Sequence, residues 1–136
     1  MAHITTTYFE DLNATGVTCP PTDAFKPDGK KEYFRVVKYN PATSDCFISH
    51  RAKFPAKVFN DECEARAVSL SDRLEGLING YFKKTPAHKK KNHLIGSVKM
   101  KPEDGLLKQT FAAGHHSWWR STVFEPSSAS IQTITR

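Results

Sequence analysis

Two imidazoles stand beside two indoles in Gly114-His115-His116-Ser117-Trp118-Trp119-Arg120. On an extended segment side chains alternate, so His115 and Ser117 face one way and His116 and Trp118 the other. One side of such a segment could form a stacking wall with an imidazole in reach, suited to a nucleobase or an adenine ring. The competing reading puts both indoles over the core and bonds the histidines to backbone, because Trp is highly buried on average. Arg35 is the second candidate. It lies in Glu-Tyr-Phe-Arg-Val-Val-Lys-Tyr, residues 32–39, a β-branched and aromatic run that reads as a strand. Phe34, Val36 and Lys38 share one face of it, and Tyr33, Arg35, Val37 and Tyr39 the other. Both faces are largely apolar, which suits a central strand. A guanidinium on a covered face needs partners, since an unpaired buried charge is very costly. A third candidate is the basic run Lys83, Lys84, His88, Lys89, Lys90, Lys91 and His93. Lys89, Lys90 and Lys91 could contact nucleic-acid phosphates with salt-sensitive affinity; the plainer reading of such a run is a solvated loop.

Other chemistries have weaker support. Cys46 and His50 are four apart, which aligns them on a helix face, and Cys63 is a further thiol. A structural zinc site shows closely paired ligands twice over, and here there is one pair, so no metal is expected. Nucleotide-binding glycine loops and the Gly-x-Ser-x-Gly nucleophile turn are absent from the sequence. No recognition helix or RNA-binding aromatic motif can be read either.

The elements that must position these groups fit one domain. The chain has 136 residues, 38% hydrophobic and 25% charged, a globular balance. Its net charge of +6 favours acidic partners: nucleic acid, a phosphorylated ligand or an acidic protein. No run approaches the ~20 apolar residues of a membrane span, and the first residues lack the pattern of a secretory signal. Three cysteines, Cys19, Cys46 and Cys63, are an odd number at irregular spacing. That predicts reduced thiols in a cytoplasmic protein.

Residues 1–31 read as an irregular arm ending in a Pro-Asp-Gly turn. After the 32–39 strand comes Asn40-Pro41, then a short helical turn through Cys46, Phe47 and His50, capped from Thr43, Ser44 or Asp45. Residues 65–71 alternate as a strand. A helix follows over about 72–84, with Asp72 as N-cap and Glu75 at capping-box spacing. Its stripe is Leu74, Leu77, Ile78, Tyr81 and Phe82. Residues 94–100 and 106–111 predict two strands of one hairpin, and 130–135 a last strand.

This order of pieces resembles a group of small prokaryotic proteins that end in a similar His-His-x-Trp-Trp signature. More distantly, the first half resembles the ADP-ribosyltransferase fold. There, a first strand carries an Arg or His that holds NAD, and a later strand carries a Ser-x-Ser motif before a helix. The resemblance implies Arg35 for the first position and Ser69 and Ser71 for the second. The family's late Glu has no counterpart in Leu106-Leu107-Lys108-Gln109-Thr110. Gln109 could bond a ribose but cannot act as a carboxylate.

The expected architecture is α+β: a single domain with a mainly antiparallel sheet of roughly four to six strands packed on one principal helix. The expected function is an ADP-ribosyltransferase-like domain binding NAD or a related nucleotide. Arg35, Ser69, Ser71, Gln109, His115, His116, Trp118 and Trp119 are its candidate ligand-binding residues. Two alternatives stand beside it. One is a protein-interaction module centred on Trp118 and Trp119. The other is a basic nucleic-acid-binding protein acting through Lys89, Lys90 and Lys91. No membrane partner is expected.

Overall fold

A computed structural model describes residues 6–82, 92–111 and 113–135. Six antiparallel strands form one sheet: β1 (Glu32–Val37), β2 (Val68–Ser71), β3 (Asn92–Lys99), β4 (Gly105–Gln109), β5 (His115–Arg120) and β6 (Ser130–Thr135). Their order across the sheet is β4-β5-β2-β1-β3-β6. The helices are short: α1 (His50–Lys53), α2 (Glu62–Ala65) and α3 (Leu74–Phe82). The protein is therefore α+β but mostly sheet, with α3 packed against β1 and β2.

Three local expectations need correction. Residues 94–111 do not form a hairpin. β3 pairs with β1 on one side and β6 on the other, so it has no free edge for β4. The hairpin is β4 with β5, in the register Leu107 opposite Trp118. Secondly, β2 is shorter than expected because α2 occupies residues up to Ala65. Asp61 caps α2 by accepting from the Glu64 N–H at 3.0 Å. At the start of α3, the Ser71 hydroxyl rather than Asp72 accepts the Arg73 N–H, at 3.2 Å. Asp72 instead meets Lys31 at 3.3 Å. Thirdly, the thiols are not all reduced. Cys19 and Cys63 form a disulfide, and Cys46 is a buried free thiol. Irregular spacing hid the bond, because the fold brings together residues 44 positions apart.

The alternation of β5 divides the interior. Trp118 points into the main core with Tyr33, Val37, Val68, Leu70, Val98 and Leu107. Phe47 and Phe124 close that core, meeting the Trp118 indole edge-on at 6.1 and 4.7 Å. Trp119 points to the opposite face, into a smaller cluster with Leu12, Cys63 and Ala67. From residue 6 on, the N-terminal arm is tied to the sheet. Phe25 exchanges two backbone hydrogen bonds with Leu107, and Tyr8 bridges to Ser121. The Phe25 contact protects part of the β4 edge, which would otherwise expose unpaired ladder groups.

Candidate functional site

A cleft opens where β1 and β2 part. The two strands share one paired position, Phe34 opposite Ser71, and then diverge. Carbonyls along the divergence lose their ladder partners and need other donors. Arg35 supplies one to Ser69 and also serves two carbonyls of residues 44–48. Its Nε donates to the Cys46 carbonyl at 2.8 Å, Nη1 to Ser69 at 2.9 Å and Nη2 to Ile48 at 3.3 Å. The expectation that Arg35 has partners holds, but they are carbonyls and not a carboxylate. Among the described residues no acidic side chain pairs with it. Three of its five N–H groups are engaged, which leaves two. Burial lowers the guanidinium from its ordinary value, yet a guanidinium keeps its charge in proteins.

Segment 44–48 forms one wall of the cleft, and a second arginine holds it. Arg120, at the end of β5, donates through Nη1 to the Ser44 and Phe47 carbonyls at 3.2 and 3.0 Å. Its Nη2 reaches the Ser44 hydroxyl at 3.0 Å. An irregular segment has few internal partners for its carbonyls, so two arginines from two strands fix it in place. Sequence reasoning missed Arg120, although a cation directly after two Trp residues in a strand pattern was a usable signal.

The cleft encloses about 500 Å³. Its lining includes Phe34, Val36 and Leu77 as apolar surface, Ser69 and Ser71 as hydroxyls, and Arg35, Lys38, Lys53, His50 and His115 as cationic or titratable groups. Asp45 is the one carboxylate among the lining residues. The register explains this convergence. Ser71 pairs with Phe34 on one side and His115 on the other, so all three side chains emerge in one row on the same face.

His115 is a held imidazole. Its Nδ1 lies 3.0 Å from the Thr110 hydroxyl, which in turn lies 2.8 Å from the Ser117 hydroxyl. This engages Nδ1 and leaves Nε2 for a ligand. Burial holds the His115 pKa below its ordinary value; contact with Thr110 opposes this, and His116 and His50 add to it. His50 stands at the start of α1, where the Ser49 hydroxyl accepts the Ala52 N–H at 3.1 Å. Burial, then the charges of Arg35, Lys53 and Lys57, hold His50 low as well. Both imidazoles are therefore neutral at pH 7. Sequence reasoning treated His50 as a weak metal donor and did not pair it with His115. Nothing in their 65-position separation indicates the pairing; only the divergence of β1 from β2 does.

Of the other candidates, Arg35, Ser69, Ser71 and His115 line this cleft. His116 does not: it is buried on the opposite face, edge-on to Tyr33 at 5.2 Å, and burial holds its pKa low. Gln109 is exposed on β4 opposite His116 and lies outside the lining. The stacking wall and the interaction surface assigned to the indoles are overturned. Trp118 is 0% and Trp119 1% exposed. Their N–H groups donate to the Asp104 and Cys63 carbonyls at 3.0 and 2.9 Å. Neither ring face is open to a ligand or partner. Cys63 is in the disulfide and has no thiolate to offer a metal. Lys89, Lys90 and Lys91 lie outside the described residues. No described helix is long and apolar enough to cross a membrane. No family model, curated protein or solved structure matches this chain.

Proposed function

We propose that the cleft between β1, β2 and segment 44–53 binds a phosphate-bearing nucleotide, NAD or a relative of it. One observation carries the reading: the Arg35 guanidinium is fixed by three carbonyls and, among the described residues, has no carboxylate paired with it. Fixed, desolvated positive charge attracts anions more strongly than mobile surface lysines do. Lys38 and Lys53 add positive charge against the single carboxylate of Asp45. Phe34, Val36 and Leu77 offer apolar surface to a base or ribose. The ADP-ribosyltransferase resemblance is in keeping with this, since Arg35, Ser69 and Ser71 line one cleft. A transfer step is a different matter, as Gln109 lies elsewhere. The disulfide favours an oxidising compartment over the cytoplasm expected from the sequence.

Calorimetric titration with NAD, ADP and inorganic pyrophosphate tests the reading. Lys38 and Lys53 are exposed, so Lys38→Glu with Lys53→Glu leaves the fold intact. The double variant is expected to weaken binding of all three by about tenfold or more, as a few close charges do. Affinity unchanged by the double reversal, or no binding to the wild type, rejects the cleft as an anion site.

A further inference from the structure

Two neutral imidazoles in one cationic cleft amount to more than an anion holder. Arg35 can neutralise a phosphate there, and two groups able to move protons, His50 and His115, line the same cleft. They differ in a useful way. His115 is half-buried and oriented through Nδ1 by Thr110, whereas His50 is exposed to solvent. Beside His115, its ring 5.1 Å away, stands Phe111, which is 84% exposed and held at a φ of 60°. An exposed aromatic in left-handed backbone is unfavourable for folding and suits a ligand contact, in this case stacking on a base. A phosphodiester with its own adjacent hydroxyl needs no further reactant to break.

We propose that the cleft is a ribonuclease site in which His115 and His50 act as base and acid on either side of a phosphate held by Arg35. The inference rests on the nucleotide-binding reading above and adds a substrate class and a reaction to it. His115 Nε2 takes the proton from a ribose 2′-hydroxyl. The 2′-oxygen forms a bond to phosphorus and the bond from phosphorus to the 5′-oxygen breaks. The imidazolium form of His50, populated on the acid side of its pKa, gives its proton to the departing 5′-oxygen. The products are a 2′,3′-cyclic phosphate and a 5′-hydroxyl, and exchange with water restores both imidazoles. Arg35 offsets the charge that gathers on the phosphoryl oxygens. Thr110 is a positioning residue, acting through His115.

The charged groups around the pair are Arg35, Lys38, Lys53 and Lys57, with Asp45 opposing and His116 behind His115. Burial first, then Arg35, Lys53 and Lys57 at His50 and His116 and His50 at His115, keep both imidazoles below the ordinary 6.5. The profile of kcat/KM is therefore a bell with its maximum on the acid side of pH 6.5.

The test uses a labelled single-stranded RNA of mixed sequence and its 2′-deoxy counterpart, with the full chain. Expected are binding of both, cleavage of the RNA alone, and cyclic phosphate ends. His50→Ala and His115→Ala, purified in parallel, should bind RNA yet cleave about 10²- to 10⁴-fold more slowly, as loss of a general acid or base does. His115→Asn, which can still bond Thr110, replaces His115→Ala if that variant misfolds. RNA bound but left intact overturns the ribonuclease and leaves nucleotide binding standing; RNA not bound overturns both. Equal cleavage of the deoxy strand, or full cleavage by the double histidine variant, also overturns it.

Discussion

Arg35 shows how one side chain can serve both stability and a site. Its three hydrogen bonds satisfy the Ser69 carbonyl, which the parting of β1 and β2 would leave bare, and the Cys46 and Ile48 carbonyls of the irregular wall. Removing the guanidinium costs more than the bonds themselves, because the carbonyls remain. Arg35→Met is expected to lower stability by about 3 kcal/mol, as stranded polar groups do, measured by urea denaturation. A change within about 0.5 kcal/mol, the scale of an ordinary surface substitution, would mean that water replaces the guanidinium freely. The need for partners was legible from the apolar neighbours of Arg35 alone. Their identity was not, since backbone carbonyls leave no trace in residue types. The Trp pair failed as a site for a related reason. Composition does not distinguish a half-covered indole from a fully covered one, and here a carbonyl lies within reach of each N–H.

Among the elements, the strands were the most legible and their partners the least. Residues 32–39 and 130–135 read as strands from their side chains, with β1 ending at Val37, and α3 reads as a helix from its apolar period. Pairing depends on which edges are free, which no local window contains. Gly105 carries part of that missing information. It sits at a φ of 129°, and a Cβ there would lie 2.1 Å from the Trp119 carbonyl oxygen. The β4–β5 hairpin therefore needs glycine at its first paired position, opposite Arg120. Gly105→Ala is expected to destabilise the protein by about 3 kcal/mol or more, combining left-handed strain with a backbone clash. Thermal melting checks this; an unchanged Tm would show that β4 can slide away from β5 without penalty.

Across the whole molecule, the sheet divides labour between its faces. One face carries the main core under Trp118. The other carries the row Phe34, Ser71 and His115 and, further along β5, Trp119 under the arm. The Cys19–Cys63 disulfide fastens the arm to α2 beside Trp119. Closing a loop of that length stabilises by about 4 kcal/mol in the chain-entropy account. Cys19→Ser is expected to lower the urea midpoint by an amount equivalent to about 2–4 kcal/mol, without loss of nucleotide binding, because no arm residue lines the cleft and Glu10 still accepts from Ser49 beside it. Loss of binding in a folded Cys19→Ser protein would tie the arm to the site.

The most direct test of the central claim follows the histidine ring resonances by NMR while AMP is added. Phosphate beside Arg35 should move the His50 and His115 signals and raise both pKa values, with buried His116 unaffected. Saturable AMP binding that leaves His50 and His115 unmoved, or no binding at all, would contradict the account.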